Sequence, residues 1–290
     1  MFIANDWKEY EVIDTGGGEK LERWGDIILR RPDPLAIWPI QDNHGLWKQA
    51  SARYLRSSTG GGHWEYSKTL PDQWTIRYDP LSFLVRPTGF KHTGLFPEQA
   101  VNWRWIMDKI RTAGRPIRVL NLFAYTGGAT LAAAAGGAEE VVHVDAAKGM
   151  VQWAKDNVQQ SGLTDRTVRF MTDDVLKFVQ REQRRGRLYD AIIMDPPSYG
   201  RGPKGETWKL EDDLYPFIEQ CMTILSPNPL FVLVNSYTTM ISPSVLHNVM
   251  TLTLQKKLGG TITTGEIGLP VSASGIVLPA GILGRWEEKA

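Results

Sequence analysis

Segments with helix and strand character alternate along the chain from Gly94 onwards. The helical segments PEQAVNWRWIMDKIRTAG, ATLAAAAGG, KGMVQWAKDNVQQSG, DVLKFVQREQRRG and LEDDLYPFIEQCMTIL lead in turn into the apolar runs RVLNLF, VVHVD, TVRFM, YDAIIMD and LFVLVN. Alternation on this scale predicts a doubly wound α/β domain, with a parallel sheet and helices on both of its faces. The last segments, TITTGEIGLP and SGIVLPAGILGRW, break the rhythm and predict an antiparallel hairpin at the sheet edge.

The first 90 residues have a different character. Short strand-like runs at 26–30 and 74–78 are separated by the turn-rich stretches TGGG, RPDP, DNHG and STGGGH. We therefore expect a small antiparallel β domain at residues 1–90 and the α/β domain at residues 91–290. The tryptophans of the first segment are interpreted as the core of the small domain: Trp38, Trp47, Trp64 and Trp74.

Composition excludes several classes of protein. A net charge of +1 argues against a generally basic nucleic-acid binder, so a polyanionic partner would have to meet a local basic patch. The single cysteine, Cys221, excludes an internal disulfide framework and a multi-cysteine metal site, and no metal is expected. The N-terminus is charged and broken by glycines, and no apolar stretch approaches the roughly 20 residues of a membrane span. These features predict a cytoplasmic protein without membrane contact.

Polar or glycine-rich motifs follow four of the predicted parallel strands. In doubly wound sheets the ligand binds at the carboxyl ends of the strands. A glycine pair such as that in NLFAYTGG (121–128) lets backbone approach a ligand closely, and an acid such as Asp145 can accept both hydroxyls of an adenosine ribose. Asp174, at the third strand end, can accept an adenine amino group, and the fourth end is followed by DPPSYGRG (195–202). Together these motifs predict a site for an adenosyl cofactor.

Each motif also has a simpler interpretation. The glycine pair alone can form a tight turn, Asp145 and Asp174 can each cap the following helix, and Asp195-Pro196-Pro197 can form a helix-entry turn. The G-x-G-x-x-G spacing of a nicotinamide or flavin site is absent, which disfavours a nicotinamide-dependent enzyme. The cofactor interpretation rests on the occurrence of all four motifs at successive strand ends.

This set of motifs resembles the class I S-adenosylmethionine-dependent methyltransferases, and within them the ribosomal RNA large-subunit methyltransferase I/K-type family. The resemblance covers most of residues 80–290. It is carried by KHTGLFPEQAVNW, by NLFAYTGG, by the strand ends VD, DD and DPPS, and by the final hairpin. It implies a Rossmann-like seven-stranded sheet and S-adenosyl-L-methionine as the cofactor.

The resemblance also implies roles for individual residues. The methionine part of the cofactor would be surrounded by Phe123, Tyr125, Thr126 and Gly127. Asp145 would hold the ribose, Asp174 the adenine amino group, and Asp195 would lie beside the sulfonium and the target. The pocket would be closed by Lys91, Thr93 and Phe96, although a helix N-cap at Thr93 or Gly94 is an alternative for that segment.

The motif at the fourth strand end indicates the kind of target. As in amino-methylating relatives, Asp195, Pro196 and Pro197 would form a rigid loop that accepts hydrogen bonds from an attacking amine, with Ser198 and Tyr199 nearby to meet the substrate. Family members that methylate cytosine C5 carry a cysteine in a Ser-Cys-Ser stretch, where this chain has NSYT (235–238). Cys221 lies in a predicted helix and is interpreted as a packing residue. A nitrogen or other non-C5 target is therefore expected, and Asn235 can hydrogen-bond it.

The substrate implied by the resemblance is RNA, specifically large-subunit ribosomal RNA. Arg201 and Lys204 follow the Asp-Pro-Pro motif and can meet phosphates, with a solvated loop as the alternative. The cluster Arg181, Arg184, Arg185 and Arg187 is interpreted as a solvated helix end. A small-molecule or protein methyltransferase with the same cofactor site remains the competing hypothesis. A non-catalytic binding module is disfavoured, because Gly127, Asp145 and Asp195 are all intact.

Overall fold

A computed structural model describes residues 1–41, 45–57, 61–201, 207–237 and 240–289. The chain divides into two compact units. The larger unit contains Met1, Asn102–Ile267 and Gly281–Ala290, and the smaller contains Phe2–Val101 and Gly268–Ala280. These limits do not coincide with the expected domain boundaries, 1–90 and 91–290, which stay a prediction.

Short strands make up most of the smaller unit. They are β1 (Phe2–Ile3), β2 (Tyr10–Gly16), β3 (Glu19–Trp24), β4 (Ile27–Pro32), β5 (Ala52–Arg56), β6 (Gly62–Tyr66), β7 (Trp74–Tyr78) and β8 (Leu81–Val85). Strands β2 to β6 form a sheet in chain order, and β7 and β8 form a separate antiparallel pair. All neighbours in the larger of these sheets are antiparallel except β4 and β5. That pair can be parallel because the chain between Pro32 and Ala52 is long enough for a crossover.

The predicted tryptophan core of the smaller unit is only partly right. Trp47 is buried, but Trp38, Trp64 and Trp74 are half-buried, while Trp24 is fully buried. The three half-buried indoles donate hydrogen bonds to the carbonyls of Thr15, Thr88 and Trp24 respectively. An indole N–H needs an acceptor, which favours positions at the margin of the core.

The larger unit continues the alternation predicted from the sequence. Its elements, some of which extend into the smaller unit, are α1 (Ala100–Thr112), β9 (Arg118–Leu122), α2 (Gly128–Ala135), β10 (Glu140–Asp145), α3 (Lys148–Gln160), β11 (Val168–Thr172), α4 (Val175–Arg184), β12 (Ala191–Met194), β13 (Tyr199–Arg201), β14 (Thr207–Lys209), α5 (Leu210–Met222), β15 (Phe231–Ser236), α6 (Pro243–Met250), α7 (Lys256–Leu258), β16 (Thr261–Pro270) and β17 (Val277–Glu287). A π-helical turn, Thr251–Gln255, joins α6 to α7. Besides these, a 3-10 turn at Leu46–Gln49 and another at Pro97–Gln99 lie in the smaller unit.

The large sheet has the order β1-β16-β17-β15-β12-β9-β10-β11. Strands β9, β10, β11, β12 and β15 are parallel, and β17 runs antiparallel to β15. The doubly wound fold and the terminal hairpin are thus confirmed, with the two-residue β1 as an eighth strand beyond the predicted seven. The order reverses at β9, between β10 and β12, and such a switch point opens a crevice at the carboxyl ends of the strands.

Apolar strand residues form the core of the larger unit. Leu120, Val142, Ile192 and Val234 are completely buried in one continuous hydrophobic cluster, which also includes Cys221. Among the helices of the described residues, none combines the length and apolar character that crossing a membrane requires. The described residues also contain no group of three or more side chains arranged to hold a metal ion.

Candidate active site at the carboxyl ends of the parallel strands

The loop after β9 has an unusual backbone. Two residues with side chains, Phe123 (φ 54°) and Tyr125 (φ 49°), lie in the left-handed region together with Gly127 (φ 91°). Such conformations cost of order 1–3 kcal/mol each for residues other than glycine, and they persist only where surrounding contacts impose them. Here Ala124 donates its N–H to the carbonyl of Val144 (3.0 Å), and Gly127 donates to Ala124 (3.0 Å). The sequence therefore forms a tight, fixed turn at a predicted ligand site.

The glycine pair in this loop is required by close packing. A Cβ on Gly127 would lie 3.0 Å from the Cβ of Ala154, and one on Gly128 would lie 2.9 Å from the ring of Trp103. The start of α2 is thus pressed between α1 and α3. Thr126 and Asn157 are both buried. The carbonyl of Thr126 accepts a hydrogen bond from the side chain of Asn157 (2.9 Å).

A buried polar chain lies next to this loop. Asn121 donates from Nδ2 to Oγ1 of Thr130 (2.9 Å), which contacts Nδ1 of His143 (2.9 Å). Burial lowers the pKa of His143 to about 3, so the imidazole is neutral at pH 7. The Thr130 hydroxyl thus accepts from Asn121 and is also hydrogen-bonded to the neutral imidazole. This chain fastens β9, α2 and β10 together, and no sequence pattern singled it out.

Asp145 joins the ends of β9 and β10. One carboxylate oxygen accepts the N–H of Tyr125 (2.8 Å) and the other accepts the N–H of Ala147 (2.8 Å). Burial raises the pKa of Asp145, while the two backbone hydrogen bonds act in the opposite direction. Each carboxylate oxygen retains a lone pair. The arrangement can therefore accept hydroxyl groups of a ligand in addition to holding the loop.

The acids after β11 are engaged locally. Asp174 is the N-cap of α4 and accepts the N–H of Lys177 (2.9 Å), which is the capping role that the sequence left open for it. Asp173 accepts the N–H of Asp174 (2.9 Å) and pairs with Arg181, and its own N–H donates to the carbonyl of Asp145 (3.0 Å). The ends of β10 and β11 are thereby linked.

The Asp195-Pro196-Pro197 segment leads into a small hairpin. After β12, the chain forms β13 and returns as β14, with Gly200 opposite Trp208. Trp208 donates from Nε1 to the carbonyl of Pro197 (2.7 Å), and the N–H of Leu210 donates to the carbonyl of Ser198 (3.1 Å). The Trp208 ring also contacts Phe123 (centroids 5.3 Å apart) and Phe217 (5.5 Å). Trp208 therefore connects the loop after β12 to the loop after β9.

The predicted substrate residues occupy this same hairpin. Tyr199 begins β13 with its side chain half exposed, and Arg201 is the last residue of that strand. Lys204 lies outside the described residues. The predicted solvated cluster at the end of α4 consists partly of ion pairs, Arg185 with Glu182 (3.1 Å) and Arg187 with Glu140.

Asn235 is the penultimate residue of β15 and lies beside the same segment. Met194 is paired with Val234, so the residues that follow them, Asp195 and Asn235, are neighbours at the carboxyl edge of the sheet. The side chain of Asn235 accepts a hydrogen bond from Nδ2 of Asn102 (2.9 Å), and Asn102 accepts one from Arg285 (2.8 Å). Sequence reasoning found Asn235 but missed Asn102 and Arg285, which are far from it in the chain.

The remaining predicted residues belong to the smaller unit. Lys91 accepts a hydrogen bond on its carbonyl from Arg31 (3.0 Å), and burial, reinforced by the positive charge of Lys20, lowers the pKa of its ammonium group to about 8. Thr93 is completely buried, and its hydroxyl has no hydrogen-bond partner among the described residues. Phe96, rather than Thr93 or Gly94, is the N-cap residue of the Pro97–Gln99 turn. The joint role of Lys91, Thr93 and Phe96 with the larger unit stays a prediction.

The comparison with known proteins identifies the family. The model of the S-adenosylmethionine-dependent methyltransferase family matches residues 37–248, and this chain belongs to that family. A solved structure described as the SAM-dependent methyltransferase from Agrobacterium tumefaciens is 39% identical, with a TM-score of 0.94, and the match covers 99% of this chain and 93% of that one. The methyltransferase class and S-adenosylmethionine as its cofactor are thus confirmed at the level of the family.

The curated relatives carry a more specific name. Proteins named ribosomal RNA large subunit methyltransferase K/L are 32% identical over 207 residues in Shewanella frigidimarina and 33% identical over 217 residues in Shewanella baltica. These matches cover 71% and 74% of this chain, but only 27% and 28% of the relatives. The chain therefore spans less than a third of the length of the curated relatives that it matches.

Proposed function

We propose that this protein transfers the methyl group of S-adenosylmethionine to a base of large-subunit ribosomal RNA, at a nitrogen or another position that requires no cysteine nucleophile. The names of the curated relatives support the substrate class. The observation that carries the reaction type is Cys221, which is 2% exposed within α5. Burial raises the pKa of its thiol, so no reactive thiolate is supplied.

The residues at the strand ends suit the cofactor. We propose that Asp145 accepts the ribose hydroxyls, that Asp174 accepts the adenine amino group through its second carboxylate oxygen, and that the fixed turn of Phe123, Tyr125, Thr126 and Gly127 surrounds the methionine part. Support comes from the lone pairs left on Asp145 and from a turn that admits no Cβ on Gly127 without strain. Lys91, Thr93 and Phe96 close the pocket in this proposal.

The target would be positioned by the loop after β12. The cofactor's sulfonium supplies an electrophilic methyl group, so the protein's task is mainly to orient the attacking atom. The carboxylate of Asp195, on a segment stiffened by Pro196 and Pro197, can accept a hydrogen bond from an attacking amine and fix its lone pair in line with the methyl group. Ser198, Tyr199, Arg201 and Lys204 follow on the same segment and would meet the RNA, Tyr199 by stacking and the basic residues through phosphates.

Methyl transfer to RNA can be tested directly. Label from S-adenosylmethionine carrying a radioactive methyl group would be followed into total RNA from cells lacking this protein, and in parallel into protein and small metabolites from the same cells. We expect label in large-subunit RNA, and we expect Asp195→Ala to abolish it. Asp212→Ala, which removes an exposed acid on α5, is the matched control and should leave labelling unchanged.

The competing hypothesis is a small-molecule or protein methyltransferase with the same cofactor site. Label found only in protein or metabolites would support that hypothesis and refute the RNA proposal. The predicted cytoplasmic location stays a prediction.

A further inference from the structure

Three polar side chains of the larger unit form a buried chain that ends beside Asp195. Arg285 of β17, Asn102 of α1 and Asn235 of β15 are 8%, 1% and 3% exposed. Arg285 donates from both Nε (3.3 Å) and one terminal nitrogen (2.8 Å) to Oδ1 of Asn102. The guanidinium also lies over the ring of Trp105, 4.6 Å from the ring centroid. Trp105 is on α1, the helix that carries Asn102. Asn102 is thus held on its oxygen side by a fixed cation.

Arg285 sets the direction of the hydrogen bonds that link it to Asn102 and Asn102 to Asn235. A guanidinium carries donors only, so the side-chain oxygen of Asn102 must face it. The amide nitrogen of Asn102 is then directed at Asn235, and it can only donate. Asn235 must in turn present its oxygen to Asn102, at the observed 2.9 Å. The NH₂ group of Asn235, a hydrogen-bond donor, is thereby turned away from Asn102 and is available to a ligand.

The site of that donor is informative. Asn235 follows the Met194–Val234 pair and adjoins Asp195 at the carboxyl edge of the sheet. Within the described part of the chain, its amide nitrogen makes no hydrogen bond. The nitrogen is therefore available to an acceptor that a ligand brings to this edge of the sheet.

We propose that Asn235 donates a hydrogen bond to an acceptor atom of the target base, a carbonyl oxygen or an unprotonated ring nitrogen adjacent to the methylated atom. Asn102 and Arg285 are positioning residues that fix the donor character of Asn235. Asp195 accepts and Asn235 donates, so the pair selects a base that offers a donor and an acceptor side by side. This inference rests on the proposed RNA-base function and adds the hydrogen-bond pattern that the site accepts.

The main substitutions in the test replace the donor that Asn235 presents to the ligand by an acceptor. They keep the hydrogen bonds among the three side chains. Asn235→Asp retains an oxygen to accept from Asn102 and puts a second oxygen in place of the NH₂ group. Asn102→Asp still accepts from Arg285, but it offers an oxygen to Asn235, which must then turn its NH₂ group inward and present its own oxygen. Asn102→Leu removes the restraint without inverting it. Asn248→Asp, on the exposed side of α6, is the control for the added charge.

Each variant would be assayed for methyl transfer to the RNA that the wild type labels and for S-adenosylhomocysteine affinity by calorimetry. We expect kcat/KM for RNA to fall at least about tenfold in Asn235→Asp and Asn102→Asp, with cofactor affinity unchanged within about twofold. Asn102→Leu should retain more activity than Asn102→Asp, although it should be less stable to heat, because it removes the two hydrogen bonds that Arg285 donates to Asn102.

Three results would overturn the proposal. Asn235→Asp could keep the wild-type kcat/KM; cofactor affinity could fall in parallel with activity, which would place the donor on the cofactor; or Asn102→Leu could lose as much activity as Asn102→Asp, which would indicate a purely structural role. Failure of the wild-type protein to label RNA would refute the proposed function itself, and with it the assignment to an RNA base.

Discussion

Asp145 holds two loops with one carboxylate, and its charge state matters for both. Asp145→Asn leaves one oxygen for the two backbone donors, Tyr125 and Ala147, and it places an NH₂ group against one of them. Hydrogen bonds to a charged group contribute about 1.5–3 kcal/mol, so we expect cofactor affinity to fall about tenfold or more. Calorimetry with S-adenosylmethionine measures this, and Asp165→Asn, an exposed acid, should have wild-type affinity.

The raised pKa of Asp145 also predicts that cofactor affinity depends on pH. Burial raises the pKa of Asp145, so the carboxylate is protonated at a higher pH than an exposed aspartate, whose pKa is about 3.9. Because acceptance of hydroxyls uses the ionised form, cofactor affinity should decline as the pH falls through this raised pKa. The decline should be absent from Asp145→Asn. An identical pH profile in the two proteins would show that another group is responsible.

The lowered pKa of Lys91 predicts that the KM for S-adenosylmethionine changes with pH in alkaline solution. With a pKa lowered to about 8, the ammonium is charged at pH 7 and neutral at pH 9. If Lys91 closes the cofactor pocket as a cation, KM for S-adenosylmethionine should rise as the pH increases through about 8. Lys91→Arg should shift that rise to higher pH, because a guanidinium stays charged. Lys91→Met should show no such rise in KM. Any pH dependence that remains in this variant is due to titration of the cofactor and can be subtracted.

At the scale of elements, the β13–β14 hairpin links two loops through one indole. Trp208→Phe keeps a ring beside Phe123 but removes the hydrogen bond to Pro197, whereas Trp208→Ala removes both contacts. We expect kcat/KM for the methyl acceptor to fall several-fold in Trp208→Phe, since one hydrogen bond is worth about 1 kcal/mol, and further in Trp208→Ala. Cofactor affinity should fall only in Trp208→Ala. Equal losses in the two variants would mean that the hydrogen bond contributes nothing.

The elements also show what the sequence can predict. The strands β9, β10, β11 and β12 are apolar runs that end in polar residues, so Asp145, Asp174 and Asp195 could be placed at strand ends from local pattern alone. The β13–β14 pair could not, because its three-residue strands have no apolar period. The hydrogen bonds that link Asn235 to Asn102 and Asn102 to Arg285 join residues more than 100 positions apart, and no local pattern encodes them. The parallel β4–β5 pair was missed for a similar reason.

At the scale of the whole molecule, stability depends on an ion pair buried in the smaller unit. Arg31 binds both carboxylate oxygens of Glu22 (2.6 and 2.8 Å), and Tyr10 donates to one of them (2.6 Å). Glu22→Gln leaves the Arg31 charge without its partner, which typically costs 3–5 kcal/mol. Urea unfolding followed by tryptophan fluorescence should show a loss of about that size. Glu65→Gln, on the exposed face of β6, should change stability little.

The contribution of Glu22 to the free energy of unfolding should disappear in acid. Burial alone would raise its pKa, but Arg31 and Lys20 outweigh burial and hold the pKa of Glu22 well below its ordinary value near 4.3. A lowered pKa in the folded state gives stability that is present above the unfolded pKa and lost as the pH falls through the folded one. The difference in stability between wild type and Glu22→Gln should therefore shrink steadily below about pH 4.

The smaller unit is completed by residues from near the end of the chain. Val12 pairs with Val271, and the N–H groups of Ser272 and Ala273 donate to the carbonyls of Val12 and Ile13. A ribosome adds roughly 5–20 residues per second, so β2 waits on the order of tens of seconds for these partners. During that interval its outer edge is an open template for another nascent chain. Shielding of that edge from intermolecular pairing therefore depends on residues 271–273, which are made about 260 positions after β2.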